Sequence, residues 1–77
     1  MYILKCADNT LYTGITVDVE RRLKEHNHDD KLAAKYTRVR RPVNLVYQET
    51  HKSRALAAKR EAEIKKLKRL DKELLYS

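Results

Sequence analysis

Phenylalanine and tryptophan are absent, and glycine, proline, cysteine and methionine occur once each. Each scarcity narrows what the chain can be. Without Phe or Trp, the five tyrosines (Tyr2, Tyr12, Tyr36, Tyr47 and Tyr76) supply all the aromatic mass. Each brings a hydroxyl that needs a partner when buried. A lone cysteine cannot close an internal disulfide, so Cys6 reads as a small core residue in a reduced compartment, and the expected location is the cytoplasm. The scarcity of Gly and Pro leaves no linker or low-complexity stretch. No apolar run approaches the ~18 residues that a membrane span needs. The N-terminus also lacks the basic-then-apolar build of a signal peptide. A length of 77 residues leaves room for one core, so residues 1–77 are expected to form a single domain with a thin stability margin.

Positive charge, by contrast, is abundant. The chain carries 18 Lys and Arg against 11 Asp and Glu, a net charge of +7. The excess is +2 over residues 1–51 and +5 over residues 52–77. Lys31 to Arg41 holds five basic residues and no acid. Such a field draws in polyanions and speeds their capture, which proposes nucleic acid beside the plainer reading of a charged, solvated surface.

The first 16 residues have strand character. Tyr2 to Cys6 and Leu11 to Thr16 flank the turn-forming Ala7-Asp8-Asn9-Thr10, which predicts a hairpin. Gly14 lies inside the second strand, where a lone glycine marks a bulge or a close approach to the backbone. Asp18 offers a helix N-cap with Glu20 in the first turn, and the helix is expected to run through His26 and end at His28-Asp29-Asp30. A short helical turn is expected over 31–36. Pro42 then leads into a third strand, Val43 to Tyr47. From Ser53 the chain is helical, with Leu56, Ile64 and Leu67 as one apolar stripe that Leu70 and Leu74 continue in a final short helix. Arg60 projects near the middle of that stripe and Glu61 at its edge. The order β-β-α-β-α-α predicts a small α+β domain in which helices flank an antiparallel sheet.

Several polar groups compete for a functional role. His26-Asn27-His28 with Asp29 and Asp30 has metal-binding residue types, but neighbours at i and i+2 do not share a helix face, so a polar helix end is the stronger reading. Tyr2 and Tyr12, on adjacent strands, can converge on one face, and Arg22 and His26 share a helix face at i, i+4. With Glu61 these residues make a phosphodiesterase set. Arg stabilises charge on a phosphate, the carboxylate holds a divalent ion and a Tyr accepts a proton. The plain alternative makes the tyrosines half-buried sheet residues, Arg22 a solvated charge and Glu61 the ion-pair partner of Arg60.

Tyr2-Ile3-Leu4, Tyr12-Thr13-Gly14-Ile15-Thr16 and Glu20-Arg21-Arg22-Leu23-Lys24-Glu25-His26-Asn27 together resemble the catalytic module of the GIY-YIG nuclease superfamily. The nearest branch is the small single-domain one of the UPF0213 and Slx-type proteins. The resemblance continues through Ala34-Lys35-Tyr36-Thr37-Arg38, Arg40-Arg41-Pro42-Val43 and Leu45-Val46-Tyr47, and ends in Lys59-Arg60-Glu61-Ala62-Glu63-Ile64-Lys65-Lys66-Leu67. It implies a three-stranded antiparallel sheet flanked by helices. It also implies hydrolysis of DNA phosphodiesters with one divalent cation, Mg²⁺, in repair or recombination. Tyr2, Tyr12, Arg22 and His26 match the catalytic positions, Gly14 the motif glycine, and Glu61 the metal-ligating glutamate. Lys35, Arg38, Arg40, Arg41, Lys65 and Lys66 become the expected DNA contacts. Such contacts carry little sequence preference, so specificity for branched or single-stranded forms is left to shape or to a protein partner. A catalytically silent DNA-binding or partner-docking module is the competing expectation. Met1 stands where the family's first motif has its leading Gly-Ile, which puts Tyr2 at an expected frayed terminus.

Overall fold

The computed structural model describes residues 1–77, with strands β1 (Tyr2–Lys5), β2 (Leu11–Gly14) and β3 (Asn44–Gln48). The helices are α1 (Val19–His28), α2 (Lys35–Arg38), α3 (Arg54–Lys65) and α4 (Arg69–Leu74). The strands form one antiparallel sheet in the order β2-β1-β3, so β1 is the central strand. The β1–β2 hairpin turns through Asn9, whose positive φ of 72° suits its short polar side chain. Asp8 closes that turn by accepting from the Thr10 hydroxyl at 2.6 Å and the Thr10 amide at 3.2 Å.

Alternation along β1 sends its side chains to two cores. Tyr2, Leu4 and Cys6 face one side with Val43, where Val19 and Leu23 of α1 pack on them. Met1 and Ile3 face the other, covered by Ile64 of α3 together with Leu67 and Leu75. The sheet is therefore a middle layer, with α1 on one face and α3–α4 on the other. Both long helices begin as their sequences dictate: Asp18 accepts from the Arg21 amide and Ser53 from the Leu56 amide. No helix is long and apolar enough to cross a membrane.

The N-terminus is not frayed. Met1 and Tyr2 are both buried, and the amide of Glu49 donates to the Met1 carbonyl at 2.8 Å while the terminal amine donates back to the Glu49 carbonyl at 3.1 Å. The terminal stripe also differs from the expected one. Leu56, Leu70 and Leu74 are exposed. Ile64 holds the expected stripe, with Arg60 and Glu61 as projected and Ala57 in the place of Leu56. Leu67 and Leu75 complete it, because the turn at Lys66–Lys68 resets the helical phase before α4. The short helix expected at 31–36 forms later, at Lys35–Arg38.

Candidate active site

Register builds the site. Tyr2 pairs with Gly14 and Leu4 with Tyr12, so both tyrosines and the glycine lie on the α1 face of the sheet. A Cβ on Gly14 would stand 2.6 Å from the Tyr2 hydroxyl oxygen and 2.7 Å from its Cζ. Gly14 has no positive φ. The glycine is there because the phenol lies across the backbone of β2, the close approach that an isolated strand glycine signals.

α1 delivers the next two groups one turn apart. His26 is wholly buried and its Nε2 lies 2.8 Å from the Tyr2 hydroxyl. Its Nδ1 lies 2.7 Å from the hydroxyl of Thr37, also wholly buried, on α2. The Tyr12 ring meets the His26 ring edge-on at 5.3 Å and stacks on Tyr36 at 5.9 Å. The Arg40 guanidinium lies over the Tyr36 ring, 3.8 Å from its centre. Arg22 uses one terminal nitrogen, Nη1, to donate to Glu25 at 3.0 Å and to the Leu32 carbonyl at 2.6 Å.

The electrostatics divide the groups. Burial pushes the Tyr2 phenol up to about 12; Tyr12 and Glu61 add to the rise, and Arg22 opposes it. Burial, followed by the Arg22 charge, pulls His26 down to about 4. At neutral pH the pair is therefore a protonated phenol against a neutral imidazole. Tyr2 is only 2% exposed, and the more accessible groups around it are Tyr12, Arg22 and Glu61.

Glu61 approaches from the other layer. α3 packs against β2, and the Glu61 charge reaches Tyr2 from there. Its side chain remains 23% exposed, with Lys65 at 3.5 Å one turn along. The expected rival pairing with Arg60 does not form. Arg60 grips Glu49 through Nε at 3.0 and 3.2 Å and through Nη2 at 3.1 Å. That hydrogen bonding, with further bonds from Tyr47 and His51, holds Glu49 down at about 2. Glu61 is left free of Arg60.

No three His, Cys, Asp or Glu side chains converge to hold a metal ion. The His26-Asn27-His28 stretch is occupied otherwise. His26 faces Tyr2, Asn27 exchanges two hydrogen bonds with the Val43 backbone at 2.8 and 3.0 Å, and Asp29 accepts from the amides of Lys31 and Leu32. A cation near Tyr2 would draw a single carboxylate, Glu61, from the protein. That donor set fits a mostly hydrated Mg²⁺ whose shell a substrate phosphate completes.

Among the basic residues, Arg40 bonds Asp8 at 3.0 Å and the Tyr36 carbonyl at 2.9 Å. Arg41 bonds the His26 carbonyl and Asp30, both at 2.7 Å. These two brace the region around the site. Arg38 is exposed, with one bond to the Asp30 carbonyl, and Lys35, Lys65 and Lys66 are on the surface, Lys65 beside Glu61. A separate cleft of about 700 Å³, walled in part by Ile15, Leu23, His51 and Ala57, takes in none of Tyr2, Tyr12, Arg22, His26 or Glu61. Thr37 and the Glu49–Arg60 clamp escaped the reading of the sequence. For Thr37 the available signal was its place beside Tyr36 in the segment matched by the family resemblance.

His26 makes the site sensitive to acid. The unfolded imidazole titrates near 6.5 and the folded one near 4, so between those values the unfolded chain binds the extra proton. The stabilisation is complete above 6.5 and is lost as pH falls toward 4. By pH 4.5 the loss is about 2–3 kcal/mol, at ~1.4 kcal/mol per pH unit. Urea unfolding at pH 7, 5.5 and 4.5 should show this slope, and His26→Gln should flatten it. An equal slope in both proteins would assign the acid sensitivity elsewhere.

A model of the GIY-YIG catalytic domain family matches residues 1–73. The chain is 58% identical over 67 residues to a UPF0213 protein of Desulfotalea psychrophila, covering 87% of this chain and 60% of that one. It is 56% identical over 72 residues to a UPF0213 protein of Syntrophus aciditrophicus, covering 94% and 82%. Its fold is similar to the solution structure of a UPF0213 protein from Bacillus halodurans, with a TM-score of 0.59, 46% identity and coverage of 96% and 77%.

Proposed function

The chain belongs to the GIY-YIG catalytic domain family, a nuclease family, and from that premise we propose that it is a Mg²⁺-dependent DNA endonuclease acting in the cytoplasm. The observation that carries this reading is the Tyr2 phenol, laid over Gly14, bonded to a neutral His26 and set between the charges of Arg22 and Glu61.

In this reading Arg22 holds the scissile phosphate. Its bonds to Glu25 and Leu32 both use Nη1, so Nε and Nη2 are tied to no carboxylate or carbonyl. Glu61 would hold the divalent ion, which supplies charge stabilisation on the phosphate when bound. Water attacks phosphorus and the bond to the departing oxygen breaks. The water proton passes to the Tyr2 oxygen while the Tyr2 proton passes to Nε2 of His26, leaving an imidazolium. Solvent protonates the departing oxygen and later takes the proton back from His26. A phenol near 12 and an imidazole near 4 are poorly matched for this transfer at rest. A bound phosphate offsets the Arg22 charge and so raises His26, but it raises the phenol with it, so the two proton transfers must occur together, with no phenolate left between them.

Lys35, Arg38, Lys65 and Lys66 supply phosphate contacts without base readout, so selectivity for branched or single-stranded DNA comes from shape or from a partner protein, as repair or recombination requires. The test is an assay on branched, single-stranded and duplex DNA with Mg²⁺ and with chelator. Cleavage that chelator abolishes is the expected result. Binding to every substrate without cleavage would leave a silent DNA-binding module.

A further inference from the structure

Because His26 is neutral, one ring nitrogen carries a hydrogen and the other a lone pair, and the proton transfer above works only if the lone pair faces Tyr2. We propose that Thr37 is a positioning residue whose buried hydroxyl fixes His26 as the Nδ1–H tautomer, so that Nε2 stays open to accept the Tyr2 proton. The inference rests on the nuclease reading for its catalytic consequence, while the tautomer itself follows from the hydrogen bonding.

The Thr37 oxygen lies 2.7 Å from His26 Nδ1 and 3.0 Å from the Ala34 carbonyl, and it donates to that carbonyl. A hydroxyl has one hydrogen. With that hydrogen on Ala34, the Thr37 oxygen can meet Nδ1 only as an acceptor, so Nδ1 must donate. The lone pair is then on Nε2, 2.8 Å from the Tyr2 hydroxyl, which donates to it. Every group in the chain from Tyr2 through His26 and Thr37 to Ala34 is satisfied.

The opposite tautomer fails at Tyr2. Thr37 would donate to Nδ1, and Nε2–H would point at the Tyr2 oxygen. The Ala34 carbonyl would lose nothing essential, since it also receives the Arg38 amide at 3.0 Å. The Tyr2 hydrogen, however, has no other protein acceptor within hydrogen-bond distance, in a residue only 2% exposed. A buried donor without a partner is costly, so the structure favours Nδ1–H. The second ring nitrogen's partner sets the tautomer, as it does for functional histidines in general.

Long-range proton–nitrogen spectra of the assigned His26 ring at pH 7 test the inference. The wild-type ring should show a protonated Nδ1 and an unprotonated, hydrogen-bonded Nε2. Thr37→Val keeps the side-chain volume and removes the hydroxyl. It should mix the tautomers and lower kcat by roughly 10–100-fold with KM little changed. Thr37→Ser should restore both the spectrum and kcat. A protonated Nε2 in the wild-type ring would overturn the proposal with no variant needed. So would a Thr37→Val protein that keeps the wild-type spectrum and kcat. A wild-type chain that cleaves no DNA would remove the nuclease reading, and the ring spectrum would still decide what Thr37 does.

Discussion

Glu61→Gln is expected to cut DNA cleavage by roughly 100-fold or more while leaving the melting temperature and DNA affinity nearly unchanged. The substitution keeps the shape of the side chain and removes its charge. What it loses on the protein side is small, because the only ion pair of Glu61 is with Lys65, half exposed and one helical turn away. Exposed pairs at that spacing contribute about 0.3–0.5 kcal/mol. What it loses on the substrate side is the carboxylate that the proposed function assigns to a divalent ion near Tyr2. Arg22→Ala should likewise abolish cleavage, with a modest loss of stability because Arg22 also ties α1 to the Leu32 carbonyl.

The Glu49–Arg60 clamp provides the opposite profile. Glu49 accepts from Arg60, Tyr47 and His51 and so pins α3 to β3. Glu49→Gln should therefore lower stability, and any cleavage should follow the folded fraction. A Glu61→Gln protein that cuts DNA at the wild-type rate with Mg²⁺ would remove Glu61 from the site.

That contrast also marks the limit of what the sequence discloses. The hairpin, the third strand and α1 follow from local chemistry: the β-forming run Tyr2 to Cys6, the left-handed turn at Asn9, the Asp18 cap. The convergence of Tyr2, Tyr12, Arg22 and His26 was legible too, since strand register and an i, i+4 helical spacing are both short-range rules. The partner of Arg60 was not. The sequence offers the adjacent Glu61, whereas the carboxylate that Arg60 grips, Glu49, lies 11 residues back across a layer boundary, with Glu63 only a looser contact at 3.8 Å. Leu70 and Leu74 misled for a related reason, because the break after Lys65 changes the phase of every later position. Arg40 and Arg41 read as phosphate contacts because charge is visible in a sequence. Their partners, Asp8 and Asp30, are chosen by the fold. Thr37 became visible only when α2 brought its hydroxyl against His26.

Gly14→Ala tests the geometry of the site from its other side, and its expected effect falls on both folding and catalysis. The backbone at Gly14 is open to any residue, having no positive φ, so the penalty lies in space alone. The added methyl would stand 2.6 Å from the Tyr2 oxygen, closer than any real contact of that kind. A long flexible side chain could swing aside, but Tyr2 cannot. Its ring is rigid, buried, packed near Tyr12 and His26, and bonded to His26 at 2.8 Å. Either the phenol shifts and that bond breaks, or β2 moves away from β1 and the hairpin pairing weakens. Overpacking of this kind costs about 1–3 kcal/mol, a large fraction of what a domain this small can hold. Cleavage should fall further than the folded fraction does, because the molecules that remain folded carry a displaced Tyr2. Removing the hydroxyl as well relieves the nearer of the two clashes. The Tyr2→Phe/Gly14→Ala double variant should therefore be more stable than the two single losses added together, an interaction that residues in direct contact show and distant ones do not. Strict additivity, or a Gly14→Ala protein with wild-type stability and rate, would mean that Tyr2 does not lie across Gly14, and the site would have to be rebuilt without that contact.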